Sequence, residues 1–316
     1  MPTTGFLWDS SVNEATRSAV EPIVPLFEYL THLGDGAVLL VLGVLIYWFG
    51  ARGNRRDRLF VISVGVAALA LSAGIKGVVE LARPELAFAP SGYPGYSFPS
   101  AHAMGAAAFY GALAVSMEWG TRWRRYLLAG AVIAIVAISR VVMGLHFAGD
   151  VLVGVVLGLG LVGVGVWTRN EGLFRPGPMF LLAIAITALA AVLGSSVFLS
   201  LTLGASIGGF VGWHYIEGRP TTRSGAAVLV LGVVGVAGIV VLRLVSIWLG
   251  LGAPAGSPRP LVFTFEVAGY ATLTALVLLL PWIAIRVEDR PIVRRLQSAL
   301  PFRNRTIDVD RAYSDD

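Results

Sequence analysis

Long apolar stretches dominate the chain, and no polar face interrupts runs such as 37–50 and 127–138. A surface helix of a soluble protein would instead alternate apolar and polar positions with a period near 3.6 residues. The pattern therefore predicts an all-α fold, a polytopic transmembrane helical bundle. Since a bilayer accommodates runs of roughly 17–25 apolar residues, we predict about nine spans, with each boundary given to within about four residues. The predicted spans are 37–51, 59–81, 101–119, 127–145, 150–167, 178–195, 197–215, 225–249 and 261–285.

Composition strengthens the membrane interpretation and removes several function classes. The 316 residues are 56% hydrophobic and 14% charged, whereas soluble domains usually contain about 25% charged residues. The formal net charge of +5 comes from arginines in short clusters between apolar runs, a pattern typical of membrane topology, so nucleic acid is excluded as a partner. The absence of cysteine excludes disulfides and thiolate chemistry. Residues 1–20 are polar, and we expect no cleaved signal peptide.

The distribution of basic residues predicts the orientation of the spans. Arginines concentrate in every second loop and in the tail that follows the ninth span, and basic loops face the cytoplasm. We expect a multi-pass cell-membrane protein with a cytoplasmic C-terminus and an acidic N-terminal stretch outside. Residues 20–33 mix apolar and polar positions, so we expect them along the outer interface until 34–36 (Gly-Asp-Gly) break the helix. The basic loops are 51–58, 121–126, 168–175 and 218–224.

Ionisable side chains are costly at membrane depth, so each one is a functional candidate. In the predicted topology, a set of polar residues from widely separated parts of the chain gathers at the outer end of the first five spans. It includes the single lysine of a chain that otherwise carries 23 arginines. Its members are Lys76, Arg83, Ser100, His102, Ser139, Arg140, His146 and Asp150.

The basic members of this group point to an anionic ligand such as a phosphate. Lys76, Arg83 and Arg140 have no matching acidic cluster, and arginine presents paired donors to phosphate oxygens while lysine acts as a point charge. Lys76 and Arg83 are seven residues apart, or two helical turns, which predicts that both project from one helix face.

The two histidines supply what phosphoryl transfer to water requires, a nucleophile and a proton donor. Asp150 follows His146 by four residues and could hold an imidazole N–H. No carboxylate cluster indicates bound Mg²⁺, and two histidines alone make a poor zinc site. We therefore predict no metal and no cofactor.

Three short blocks carry this chemistry: K-x6-R-P at 76–84, P-S-A-H at 99–102 and S-R-x5-H-x3-D at 139–150. In this order they resemble the signature of the type 2 phosphatidic acid phosphatases and the related vanadium haloperoxidases. The resemblance covers roughly residues 37–168. It departs at Ala101, where the family usually has glycine, but alanine keeps the backbone N–H.

The resemblance implies a role for each residue of the site. His146 would attack phosphorus and form a phosphohistidine, oriented by Asp150. His102 would protonate the leaving alcohol and then activate water. The phosphate oxygens would be held by Lys76, Arg83, Ser100, Arg140 and the backbone N–H of Ala101.

The function expected from this resemblance is metal-independent hydrolysis of a lipid phosphate monoester or diphosphate at the outer membrane face. A phosphatidic-acid-like lipid and a polyprenyl diphosphate fit equally, because either could enter sideways from the bilayer. The alternatives are phosphoryl or head-group transfer to another alcohol, and a transporter or scaffold that keeps a vestigial site. The sequence leaves homo-oligomerisation open. The expected segments are 1–36 (extracytoplasmic, with an interfacial helix), 37–170 (phosphatase-like core), 171–287 (C-terminal transmembrane extension of unknown role) and 288–316 (cytoplasmic tail).

One charged pair lies outside the three blocks. Arg243 and Glu266 are at matched depth, roughly 8–9 Å from the outer ends of spans eight and nine. An isolated charge in lipid costs several kcal/mol, so we expect a structural ion pair that pins the C-terminal hairpin. The alternative is that Arg243 faces the active site as a further phosphate ligand.

Overall fold

The computed structural model describes residues 5–50, 54–86, 88–89, 95–193, 198–221, 225–248 and 260–299. Over these ranges the chain forms α-helices and short 3-10 turns but no β-strand, which confirms the all-α prediction. The α-helices are α1 (Ser10–Ala19), α2 (Val24–Leu30), α3 (Gly36–Phe49), α4 (Arg55–Val79), α5 (Ala101–Ser116), α6 (Arg122–Val142), α7 (Ala148–Trp167), α8 (Pro176–Leu193), α9 (Leu199–Ile216), α10 (Gly225–Trp248), α11 (Pro260–Ala284) and α12 (Pro291–Ala299).

Each predicted span coincides with one helix, from α3 to α11. The largest boundary difference is at α6, which begins before the predicted residue 127 because the Thr121 side chain accepts a hydrogen bond from Arg124 N and caps the helix. In the described part of the chain, five helices are long and apolar enough to cross a membrane. The pair Glu21–Gly34 and Gly36–Phe49, bent by 53°, would add a sixth. The protein is a multi-pass membrane protein, and the total of nine spans stays a prediction.

The outer surface of the bundle is apolar, as a lipid-facing surface should be. On α7, Leu152 is 51% exposed, Val156 67% and Leu159 45%, and these positions form one stripe at helical spacing. A continuous apolar stripe of this kind is unusual on a soluble monomer. Hydrocarbon chains can solvate it without cost, which agrees with the membrane assignment.

Two glycines let the backbone of α7 lie directly against α5. A Cβ added at Gly154 would lie 2.8 Å from the Ser100 carbonyl oxygen, and one added at Gly158 would lie 2.5 Å from the Met104 carbonyl oxygen. Small residues permit such close helix contacts in membranes. The contact sets the two helix starts side by side, and Ser100 N donates to the Asp150 backbone carbonyl at 3.1 Å.

At the opposite end of the bundle, arginines that the sequence assigns to membrane topology also hold helices together. Arg55 is buried and donates to the carbonyl oxygens of Ile216 (2.9 Å) and Arg219 (3.0 Å), where α9 ends and its last carbonyls lack helical partners. Arg56 pairs with Glu217 at 3.2 Å. These contacts tie the start of α4 to the C-terminal half of the chain.

The C-terminal helices pack on the same bundle as the first five predicted spans. Helix α4 contacts α8 and α9, and α9 packs along α11. The Tyr47 hydroxyl of α3 donates to the Leu278 carbonyl of α11 at 2.8 Å. The expected partner of Glu266, the Arg243 side chain, lies outside the described residues. Glu266 itself accepts a hydrogen bond from Ser200 Oγ at 2.8 Å, which joins α11 to α9.

The expectation that Lys76 and Arg83 share a helix face is wrong. Helix α4 ends at Val79, and Glu80 adopts a left-handed conformation with φ of 50°, so Arg83 belongs to a non-helical segment. Pro84 explains part of this, because the residue before a proline is disfavoured in helical conformation. Arg83 therefore reaches the site from a loop and not from the face of α4.

A matched pair of variants tests the packing of α5 on α7. Gly158→Ala should lower the melting temperature in detergent, because the new methyl meets backbone oxygen that cannot move aside. Gly160→Ala should leave it unchanged or raise it slightly, since a Cβ there meets nothing within 4 Å and alanine favours helix by about 1 kcal/mol over glycine. Equal melting temperatures for the two variants would contradict this packing.

Candidate active site

Four helix ends bring the predicted polar group to one end of the bundle. Lys76 is in the last turn of α4, His102 is in the first turn of α5, and Arg140 is in the last turn of α6. His146 follows α6, and Asp150 is in the first turn of α7. Arg83 and Arg140 are both close enough to interact electrostatically with the imidazole rings of the two histidines. The predicted residues therefore belong to one electrostatic neighbourhood.

His146 is buried and presents its two ring nitrogens to opposite kinds of partner. Arg83 Nη1 lies 3.1 Å from His146 Nε2 and donates to the Leu145 carbonyl at 2.6 Å. Because a guanidinium can only donate, Nε2 must accept, and the imidazole proton is on Nδ1. Burial lowers the pKa of His146 to about 3. The nearby cations also lower this pKa, whereas Asp150 acts in the opposite direction. The imidazole is therefore neutral at pH 7, with a lone pair on Nε2.

The carboxylate of Asp150 is fully buried and satisfied by donors from three parts of the chain. Trp8 Nε1 donates to Oδ1 at 3.0 Å, while Ser97 Oγ and Phe147 N (3.1 Å) donate to Oδ2. His146 Nδ1 lies 3.6 Å from Oδ2, which is longer than a hydrogen bond. Ser97 Oγ is 3.4 Å from the same nitrogen and so contacts both members of the pair.

Lys76 and Arg83 hold the segment that precedes α5 by its carbonyl groups. Lys76 Nζ donates to the carbonyls of Tyr96 and Ser97, the latter at 3.2 Å. Arg83 Nε donates to the Gly95 carbonyl at 3.1 Å. Both cations thus lie beside the residues that lead into the start of α5.

The start of α5 presents backbone N–H groups at the same end of the bundle as these cations. Ser100 is its N-cap residue, and its Oγ accepts from Ala103 N at 3.5 Å. The first N–H groups of a helix have no intrahelical acceptor and favour an anion. Ala101, the first residue of α5, contributes one of them.

The N-terminal segment lies against the candidate site. Asn13 Nδ2 donates to the carbonyls of Val141 and His146, both at 2.9 Å. Arg140, which is 1% exposed, donates through Nη1 to Thr31 Oγ1 at 2.9 Å. His102 Nε2 lies 2.6 Å from Asp35 Oδ1.

Sequence reasoning missed these contacts. Ser97 lies two residues before the P-S-A-H block, and no pattern distinguishes it from other loop serines. Trp8 and Asn13 contact residues more than 125 positions away, which a single sequence does not reveal. Asp35 gave a usable signal, because it is a carboxylate between two glycines at the predicted depth of the histidines.

The donor groups of the candidate site are of the kind that bind anions. Among the described residues, no group of three or more His, Asp or Glu side chains is placed to hold a metal ion. Three cations and a helix N-terminus converge instead, and these are the groups that phosphate binding uses in proteins.

Comparison with known proteins identifies the class. The family model described as "PAP2 superfamily" matches residues 57–173, a range that includes all three sequence blocks. Phosphatidylglycerophosphatase B of Bacillus subtilis (strain 168) is 36% identical over 139 residues, which are 41% of this chain and 67% of the relative. This chain belongs to the PAP2 superfamily, as the three blocks predict.

One further curated protein and one solved structure are similar to this chain. Lipid A 1-phosphatase of Rhizobium etli is 29% identical over 200 residues, covering 55% of this chain and 83% of the relative. The crystal structure of a transmembrane PAP2-type phosphatidylglycerolphosphate phosphatase from Bacillus subtilis aligns with a TM-score of 0.43 and 28% identity. That alignment covers 51% of this chain and 86% of the other. Phosphatidylglycerophosphatase B and lipid A 1-phosphatase are both named as lipid phosphatases, and the similarity of this chain to them supports a phosphatase here.

The position of Ser97 predicts a kinetic effect. Ser97→Ala removes a donor to the buried Asp150 carboxylate and should lower kcat for a lipid phosphate by about tenfold or more, with little change in KM, because hydrogen bonds to charged groups contribute about 1.5–3 kcal/mol. Ser116→Ala is the matched control, since Ser116 is also buried and donates only to the Ala112 carbonyl of its own helix, at 2.7 Å. Phosphate release by the purified variants measures both. An equal kcat for the two variants would contradict a role for Ser97 in positioning Asp150.

Proposed function

We propose that this protein hydrolyses a lipid phosphate monoester or diphosphate through a phosphohistidine on His146, without a metal ion. The observation that carries the proposal is the arrangement of His146, with a neutral ring, Nδ1 toward Asp150 and Nε2 toward Arg83. A nucleophile needs an available lone pair next to the phosphorus, and an anionic substrate would be drawn to the cations around that nitrogen.

In the first step, the phosphate takes its place between Lys76, Arg83 and Arg140 and against the first N–H groups of α5. Arg83 Nη1 then donates to a phosphate oxygen and leaves Nε2 to attack phosphorus. The bond from phosphorus to the leaving oxygen breaks, and His102 donates a proton to that oxygen. The Asp150 carboxylate stabilises the positive charge that develops on the His146 ring.

In the second step, water hydrolyses the phosphohistidine. His102, now neutral, accepts a proton from the water as its oxygen attacks phosphorus, and the bond from phosphorus to Nε2 breaks. The electron pair returns to Nε2, and inorganic phosphate leaves. Both histidines recover their starting protonation states, so the cycle balances without a cofactor.

The substrate class follows from the surroundings of the site. A bundle with an apolar outer surface favours a ligand that diffuses in the bilayer and presents its head group at the end of the helices. The relatives are named for phosphatidylglycerophosphate and for lipid A, and both names describe a phosphate on a lipid. Phosphatidic-acid-like lipids and polyprenyl diphosphates carry the same chemistry and complete the candidate set.

The proposed location of the site is the extracytoplasmic face, with residues 37–170 as the catalytic core and a cytoplasmic C-terminus. Support comes from the arginine-rich ends of the helices, which lie opposite the site. Arg55 begins α4, Arg122 begins α6 and Arg169 follows α7. Basic loops remain cytoplasmic during membrane insertion, which leaves the site on the other side.

Substitution of the central residues tests the chemistry. His146→Ala should lower phosphate release by several orders of magnitude because the nucleophile is lost. Arg140→Ala should lower it by about a hundredfold or more, as for other groups that stabilise transition-state charge. His214→Ala, at an exposed histidine in the last turn of α9, should match the wild type. The assay uses purified protein with phosphatidic acid, phosphatidylglycerophosphate and a polyprenyl diphosphate, with and without EDTA. Wild-type rates in His146→Ala, or activity that requires added Mg²⁺, would overturn the proposal.

The absence of native cysteine allows a direct test of orientation. Glu14→Cys places a thiol at an exposed position of α1 near the site, and Arg122→Cys places one at the exposed start of α6 at the other end. A membrane-impermeant maleimide should label Glu14→Cys in intact cells and Arg122→Cys only after permeabilisation. The reverse pattern would place the site in the cytoplasm.

A further inference from the structure

Asp35 lies between two histidines at the junction of the N-terminal segment and α3. Its Oδ1 is 2.6 Å from His102 Nε2, and its Oδ2 is 2.6 Å from His32 Nδ1. Asp35 is also the N-cap residue of α3, where an aspartate normally accepts a hydrogen bond from the first helical turn. Within the described chain, its side chain makes no such capping bond. Its carboxylate is turned toward the two imidazoles instead.

The chain segment that carries Asp35 is held tightly against α5 and α6. Gly34 approaches so closely that an added Cβ would lie 2.5 Å from Val136 Cγ1 and 3.2 Å from the His102 carbonyl oxygen. Arg140 donates to Thr31, and the Tyr110 hydroxyl of α5 donates to the Leu33 carbonyl at 3.0 Å. The contact between Asp35 and His102 is therefore part of a packed junction.

The charges around His102 explain why a carboxylate is needed there. A general acid must carry two ring protons, and this gives the imidazole a positive charge. The charges of Arg83 and Arg140 act on His102, and the N-terminus of α5, one residue away, adds positive partial charge. All three oppose the protonated ring, whereas Asp35 stabilises it.

We propose that Asp35 is a positioning residue for His102, which keeps the ring protonated on Nε2 and directs Nδ1 to the reacting oxygen. The inference rests on the proposed function, in which His102 is the acid. A carboxylate can only accept, so Nε2 keeps its proton throughout the cycle. The Nδ1 proton passes to the leaving alkoxide in the first step, and Nδ1 recovers a proton from water in the second. Asp35 lies outside the residues matched by the family model, 57–173, so the N-terminal segment supplies part of the catalytic machinery.

Two synthetic substrates that differ in their leaving group test this role. Dodecyl phosphate releases an alkoxide that requires a proton, whereas 2-dodecyl-4-nitrophenyl phosphate releases a stable phenolate that does not. Asp35→Asn should lower kcat/KM for the alkyl phosphate by about a hundredfold, as expected for loss of general acid catalysis, and for the aryl phosphate by less than about threefold. A loss of structure would lower both values together. Asparagine has nearly the size of aspartate and is equally favourable as an N-cap, so the fold should persist.

Control variants separate failure of the inference from failure of the proposed function. Glu28→Gln removes an exposed carboxylate from α2 and should leave both substrates at wild-type values. His102→Ala should show the same selectivity as Asp35→Asn. The ratio of the two kcat/KM values comes from one preparation, so partial misfolding of a variant cancels.

A wild-type ratio in Asp35→Asn together with a selective loss in His102→Ala would overturn the inference alone. A loss in His102→Ala that is equal for both substrates would contradict the assignment of His102 as the acid, and the proposed function would fail with it.

Discussion

A carboxylate buried at the end of an apolar helical bundle constrains everything around it. Removing such a charge from water costs several kcal/mol unless hydrogen bonds replace the lost hydration. Asp150 meets this requirement with donors from Trp8, Ser97 and the backbone of Phe147, which come from the N-terminus, the segment before α5 and the start of α7. Satisfying one carboxylate thus brings three distant parts of the chain together, and His146 lies next to that carboxylate.

The positive groups of the site complement this arrangement. Arg83 faces the nitrogen of His146 that points away from Asp150, so the imidazole lies between a carboxylate and a guanidinium and its tautomer is determined. His102 has its own carboxylate, Asp35, and its own cationic neighbours. The two histidines therefore share a cationic neighbourhood but have separate acidic partners, which fits the two different roles proposed for them.

The sequence was sufficient for the helices and for the grouping of most candidate-site residues at one end of the bundle, and the reasons are local. Long apolar runs can only form spanning helices in lipid, and three short blocks fall at successive helix ends. Non-local features were not predictable, since Trp8 and Asn13 reach the site across more than 125 residues. The shared helix face of Lys76 and Arg83 was wrong because α4 ends at Val79. The burial of Arg55 depends on the end of α9, which no pattern near residue 55 indicates.

The phosphohistidine is the central claim, and direct detection of the phosphoenzyme tests it. The His102→Ala variant is suited to this, because an aryl phosphate should phosphorylate it while the water-activating group of the second step is missing. After alkaline denaturation and digestion, mass spectrometry should locate a phosphoryl group on His146. This group should be labile in acid and absent from the double variant that carries both His102→Ala and His146→Ala. A phosphoryl group on any other residue, or continued turnover of the aryl phosphate with an unmodified His146 at every time point, would contradict the account.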